Sequence, residues 1–220
     1  FKNSPYAAIP LDMIHHGIDT WYFAPASARH KQQCRQALLG NEAANTGLIL
    51  LGSTGGTDYE KGWLEMVQAV SQLPEHLKNR CRIIMAGDPP NEEKMNRVKA
   101  LGMEQQLVFP GLVDDVRDIL AACDLGFVLS HKEALSFACR ESMALGLPTI
   151  ASNAGGLPEN IQHGKDGWIV PAKDPQALQT LLQEILDNPA LLHEVSMASR
   201  QTAEQHFNLV TFAHKTLKTY

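Results

Sequence analysis

Two glutamates, Glu133 and Glu141, bracket the stretch "EALSFACRE", in which Arg140 is the one other charged residue. Carboxylates at this spacing could form a catalytic pair, make two contacts to one ligand, or be unrelated surface groups. The outcome depends on where a helix begins between them. The apolar run 125–130, ending at Ser130, has the character of a buried strand, "HKEAL" reads as a loop, and Ser136 is a suitable N-cap for a helix over 137–145. Glu133 then sits in a loop above a sheet and Glu141 in the second helical turn. A helix start offers unpaired backbone N–H groups and a positive dipole end, so residues 135–138 make a seat for phosphate. Glu133 is better suited to accept hydrogen bonds from neutral hydroxyls beside such an anion, and Glu141 could serve a second hydroxylated group. Hydroxyls, a diphosphate and further hydroxyls describe a nucleotide sugar. On spacing alone the plainer alternative stays open, with Glu133 solvating a loop and Glu141 on an exposed helix face.

The elements that must hold these residues follow from the hydrophobic pattern. Short apolar runs at 47–53, 81–87, 107–111, 125–130 and 148–152 predict buried strands, and a further short strand is expected at 167–170. Helical spacing fills 61–73, 91–101, 115–123 and 137–145, and three more helices are expected over 174–187, 189–206 and 208–219. Strand–helix alternation of this kind predicts an α/β fold with a doubly wound, mostly parallel sheet. In such sheets ligands bind at the carboxyl ends of strands, where the notable residues lie. The segment "IHHGIDTWYFAP" (14–25) reads as a short strand, a turn at Gly17 and an extended stretch.

The 220 residues, 44% hydrophobic and 20% charged, suffice for one domain with a sizeable core. A net charge of −5 and scattered basic residues give no general attraction to nucleic acid, so an anionic ligand needs a local site. Cys34, Cys81, Cys123 and Cys139 form no C-x-x-C pair, which fits a reducing, cytoplasmic setting better than a disulfide scaffold. No apolar run reaches the roughly 18–20 residues of a membrane span. The chain opens on Phe1, as expected of a part of a longer protein. His15 and His16 are adjacent on an extended segment and point to opposite sides, so no metal site is expected there. No Walker A sequence and no G-x-G-x-x-G after a strand is present.

The segment "EALSFACRESMALGLPTIASNAGGLPEN" resembles the signature of retaining GT-B glycosyltransferases of family 4: two glutamates separated by seven residues, a small-residue helix, a Gly-x-Pro turn and a Gly-Gly loop. "IHHGIDTWYFAP", "EKGW", "IIMAGD", "LVFPGLVDD" and "DGWIVPAKDP" are similar to further family segments in the same order, from about residue 11 to the C-terminus. The resemblance implies a Rossmann-like donor-binding domain at 31–220, preceded at 1–30 by a lead-in from an N-terminal acceptor domain that this chain does not contain. It implies that Glu141 binds the ribose hydroxyls and Glu133 the transferred sugar. It further implies that the backbone of Ala134, Leu135, Ser136 and Phe137 cradles the diphosphate and that Lys61 contacts the phosphates. Lys61 and Glu133 are thereby the expected catalytic residues, and Leu112, Val113 and Asp115 the edge that receives the base.

The resemblance also implies a nucleotide-sugar substrate such as a UDP- or GDP-sugar, no metal and no other cofactor, and a saccharide or glycolipid acceptor on the other domain. It points to bacterial surface-polysaccharide or lipopolysaccharide synthesis, at the inner face of the cytoplasmic membrane. One position departs from the family: Ser53 stands where an arginine usually ends the strand, and no basic residue lies between Ser53 and Lys61. The glycine-rich loop with Gly55 and Gly56 is then expected to donate backbone N–H groups in its place. A sugar-nucleotide epimerase of the same architecture and a non-catalytic nucleotide-binding module are the rival readings. The Gly155–Gly156 turn is expected to let backbone approach the donor.

Overall fold

The structure, a computed structural model, describes residues 13–45 and 47–219. The chain runs α1 (Ala28–Leu39), β1 (Ile49–Ser53), α2 (Trp63–Ser71), α3 (Glu75–Lys78), β2 (Cys81–Ala86), α4 (Glu92–Ala100), β3 (Leu107–Gly111), α5 (Arg117–Ala122) and β4 (Leu125–Val128). It continues with α6 (Phe137–Ala144), β5 (Thr149–Ser152), β6 (Trp168–Val170), α7 (Pro175–Asp187), α8 (Ala190–His206) and α9 (Leu209–Leu217). The six strands form one parallel sheet in the order β3-β2-β1-β4-β5-β6, with Leu51 opposite both Ile83 and Leu125. The Rossmann-like α/β arrangement expected from the alternating pattern is what the chain adopts.

Alternation along the strands sorts side chains into the two layers. Leu51, Ile83, Met85, Leu125 and Phe127 join one core cluster with residues of α2, α4 and α7. Their neighbours Leu50, Ile84 and Ala86 join a second cluster under α1 and α5. Val128 and Ala151 pack with α6 and α8. Helix starts are capped locally: Asn91 accepts from the Lys94 N–H, and Asp174 from the Ala177 N–H ahead of Pro175.

Asp124, at the start of β4, ties the second layer to the sheet. Its carboxylate lies 2.8 Å from both Lys31 Nζ and an Arg35 guanidinium nitrogen and accepts the Leu50 N–H at 2.9 Å. Burial alone would raise its pKa, but the two cations and the backbone donor outweigh that and lower it.

The amino-terminal third departs from the sequence reading in two places. No strand forms between 14 and 25; Ile18 makes a single bridge to Asn208, and the turn falls at 20–22, where the Asp19 carboxylate accepts the Trp21 and Tyr22 N–H groups. Helix α1, which the pattern did not suggest, starts at Ala28, so the expected boundary at residue 31 falls inside it. Only Cys34 and Arg35 of α1 are buried, which leaves too narrow an apolar stripe to be read from sequence. Residues 11 and 12, where the family resemblance begins, lie outside the described residues.

Candidate functional site

Strand order reverses between β1 and β4, whose carboxyl ends lead into the loops 54–62 and 129–136. Both loops are held at their bases by backbone geometry. Gly62, in the left-handed region at φ +68°, caps α2 against the Leu129 carbonyl, and a Cβ there would lie 2.0 Å from that oxygen. The His131 N–H donates to the Glu60 carbonyl at 2.7 Å, and the His131 ring meets Glu65 of α2 at 2.7 Å. The Ser152 hydroxyl donates to the Ser130 carbonyl at 2.6 Å, bringing in β5.

This scaffold brings Lys61 and Glu133 together. Lys61 ends a single 3-10 turn before α2, and its Nζ lies 3.5 Å from Glu133 Oε2, with the two side chains 41% and 20% exposed. The Ser130 hydroxyl donates to the same oxygen at 3.2 Å. Gly55 lines the aliphatic stem of Lys61: a Cβ there would come within 3.5 Å of Lys61 Cδ. Ser53 is buried at the end of β1, in register with Met85.

Helix α6 begins where the loop ends. Its cap Ser136 holds φ +67°, unusual for a residue with a side chain, and its hydroxyl accepts the Cys139 N–H at 3.3 Å. This leaves the N–H groups of Phe137 and Ala138 at the helix start without an intrahelical acceptor. Glu141 follows in the second turn. Burial raises its pKa, and among the described residues no side chain or backbone group donates to its carboxylate. A half-buried acceptor without a donor is suited to hydroxyls of a ligand.

Other candidates occupy different roles from those expected. The Gly56 N–H is already donated to the Ala86 carbonyl at 2.9 Å, and Gly87 packs directly on Gly56, so Gly56 serves the crossing of two loops and has no N–H to offer a phosphate. The Gly155–Gly156 turn packs beneath the chain's own loop: Cβ atoms there would lie 1.7 Å from the Glu133 carbonyl and 2.1 Å from the Ala134 carbonyl. The Gly156 N–H donates to the Ala134 carbonyl at 2.7 Å, and Asn160 donates to the Leu135 carbonyl. These glycines therefore support the Glu133 loop.

At the far edge, beyond β3, Leu112 is 79% exposed while Val113 packs into the second core cluster. The Asp115 carboxylate is taken by Arg117, from its Nε at 2.9 and 3.0 Å, and by the Tyr22 hydroxyl at 3.3 Å. Arg117 holds that carboxyl down at about 2.

Phe137 is exposed and stacks on His16 with ring centroids 3.7 Å apart, while His15 meets Glu159 at 2.9 Å. The two histidines have separate partners, and no metal cluster among the described residues includes them. Arg140, fully buried, donates to Asn160 at 2.7 Å and to the His16 carbonyl, and lies over the Phe207 ring. Arg140, Asn160 and the His131–Glu65 pair were not legible as site supports, since their partners are distant in sequence. Ser130 carried a signal, as a polar residue closing an apolar strand three positions before Glu133.

A cation, a carboxylate and a helix start thus meet at one switch point, with Glu141 in the second turn of that helix, an arrangement suited to an anion beside hydroxyls. The sequence profile of the glycosyl transferases group 1 matches residues 35–202. The chain belongs to this family. Among curated relatives, N-acetyl-alpha-D-glucosaminyl L-malate synthase of Bacillus anthracis is 29% identical over 144 residues, 65% of this chain and 37% of that protein. Sulfoquinovosyl transferase SQD2 of Arabidopsis thaliana is 30% identical over 206 residues, 91% of this chain and 38% of that protein. The chain thus spans well under half of these relatives. A glycosyltransferase from Rickettsia africae superposes with a TM-score of 0.78 at 26% identity, over 94% of this chain and 55% of that one. Anabaena HepE in complex with UDP superposes at 0.85 with 23% identity, over 94% and 56%, which establishes the shared fold.

Proposed function

We propose that this chain is the donor-binding half of a retaining GT-B glycosyltransferase of family 4, which moves a sugar from a nucleoside diphosphate to a saccharide or lipid-linked acceptor. The observation that carries the reading is the convergence of Lys61, Glu133 and the start of α6 at the ends of β1 and β4, with Glu141 one turn deeper. The reading is supported by a relative named as a sulfoquinovosyl transferase, by a structural neighbour named as a glycosyltransferase and by another solved with UDP-glucose. In this assignment the diphosphate lies against the α6 start and Lys61, the ribose hydroxyls face Glu141, and the sugar faces Glu133. The acceptor sits on an N-terminal domain outside this chain, and the protein works at the cytoplasmic side of a membrane in bacterial surface-polysaccharide or lipopolysaccharide assembly.

The Lys61–Glu133 pair sets up the exchange that donor binding requires. A partly exposed ion pair is worth up to about 1 kcal/mol, so releasing Lys61 toward a doubly charged diphosphate costs little. The released Glu133 then becomes free to accept from sugar hydroxyls. During transfer, Lys61 and the helix start stabilise the charge that builds on the departing diphosphate, while the acceptor attacks from the same face.

Calorimetric titration with UDP, GDP, ADP and CDP, each with and without its glucose ester, tests the assignment. One nucleoside diphosphate should bind with one-to-one stoichiometry. Glu133→Ala should leave that affinity nearly intact and reduce the gain from the sugar. Failure of all four to bind, or equal losses for both ligands, refutes it. A non-catalytic nucleotide-binding module is the second reading, favoured by Ser53 in place of the expected arginine. Binding without transfer by the full-length protein would decide for it.

A further inference from the structure

On the layer formed by α1 and α5, three side chains of metal-ligating type converge. His30 and Cys34 lie four residues apart on one face of α1, and Asp118 occupies the first turn of α5. His30 Nε2 is 2.8 Å from Asp118 Oδ1 and 3.6 Å from Cys34 Sγ, and one ligand atom from each residue lies within 4.8 Å of the other two. A cavity of about 220 Å³ opens beside them, lined also by Gln33, Ala37, Leu38 and Ile119.

We propose that His30, Cys34 and Asp118 form a binding site for a divalent cation of the zinc class. Zinc takes nitrogen, thiolate sulfur and carboxylate oxygen at about 2.0–2.3 Å in a tetrahedron. Those bonds place ligand atoms about 3.3–3.6 Å apart. The observed sulfur–nitrogen separation already fits, and the nitrogen–oxygen pair needs to open by about 0.5 Å. Asp118 and His30 can make that movement because their side chains are 68% and 48% exposed, whereas Cys34 is fixed in the core. The fourth position faces the cavity, with room for water. This donor set of one thiolate, one imidazole and one carboxylate favours a borderline-soft ion over magnesium or calcium, which prefer oxygen donors.

Burial, and then the Asp118 carboxylate, push the Cys34 thiol up, so the metal-free residue carries its proton. Binding forms the metal–sulfur bond and releases that proton to solvent. The ion would bridge α1 to α5 and so fix the first helix of the domain to the sheet layer.

Cobalt(II) titration of the reduced, metal-free chain reads the site directly. One equivalent should produce the intense visible bands of four-coordinate cobalt and a near-ultraviolet thiolate charge-transfer band, both erased by one equivalent of zinc. Cys34→Ser should remove the charge-transfer band. His30→Ala and Asp118→Asn, at solvent-facing positions whose loss leaves the core intact, should each weaken zinc binding by roughly tenfold or more in competition with a chromophoric chelator. The proposal is overturned if four-coordinate bands do not develop at one equivalent, if Cys34→Ser keeps the charge-transfer band, or if His30→Ala binds zinc as tightly as the unaltered chain.

Discussion

The support of the Glu133 loop by Gly155 and Gly156 can be tested with a graded series. Gly155→Ala meets two penalties, a left-handed backbone at φ +54° and a Cβ 1.7 Å from the Glu133 carbonyl oxygen. Gly102→Ala, just past the end of α4, meets only the first, at φ +64° with no atom within 4 Å, and Gly156→Ala only the second, 2.1 Å from the Ala134 carbonyl at an ordinary φ. The backbone penalty for an alanine in this region is about 1–2 kcal/mol, partly offset by the stiffer unfolded chain. Gly102→Ala should therefore cost about 1 kcal/mol. Bringing the Gly155 contact out to 3.0 Å, the shortest that Cβ atoms adopt, requires the loop to withdraw by about 1.3 Å. Overpacking of this kind adds about 1–3 kcal/mol. Gly155→Ala should then lose about 2–4 kcal/mol in urea denaturation and Gly156→Ala about 1–3. The displaced loop carries the partner of Lys61, so affinity for the preferred nucleotide sugar should fall in both variants and stay unchanged in Gly102→Ala. Equal destabilisation by Gly155→Ala and Gly102→Ala, or unaltered donor affinity in Gly155→Ala, would refute the reasoning.

Glu141→Ala should weaken the preferred nucleoside diphosphate by about 1–3 kcal/mol, the loss expected for charged acceptors of ribose hydroxyls, measured by calorimetry. Because burial raises the Glu141 pKa, its favourable contribution to stability is present below the ordinary value of 4.5 and lost as pH rises through the raised one. Glu141→Gln should therefore be more stable than the native chain at neutral pH, with the difference closing below pH 4.5, as thermal melts across pH will read. Lys61→Ala should leave the melting temperature nearly unchanged but weaken a nucleoside diphosphate more than the monophosphate, with the gap narrowing as salt rises. Asp124→Ala should destabilise by about 3–5 kcal/mol in denaturant titrations, since it leaves Arg35 buried beside an empty partner position and the Leu50 N–H without its acceptor.

The sequence by itself determined the order of strands and longer helices from β1 onward, because buried strands and amphipathic helices write their periods into neighbouring residues; the four-residue α3 is too short to carry such a period and went unread. It also located the start of α6: Ser136 precedes the helix as an N-cap must, and that start separates Glu133 in the loop from Glu141 in the second turn. What it could not hold was any relation between distant segments. Helix α1 stayed hidden because its apolar contact is narrow, made by Cys34, Leu38 and Leu39, and its place also depends on Arg35 and Lys31 reaching Asp124. The ion pair of Lys61 with Glu133, the Gly56 N–H given to Ala86, and the two glycines beneath Glu133 likewise arise only when separate loops are brought to one end of the sheet. Local patterns specify what each segment becomes. Contacts across the sheet decide which polar groups are already satisfied by the protein and which, like the Glu141 carboxylate, have no donor among the described residues.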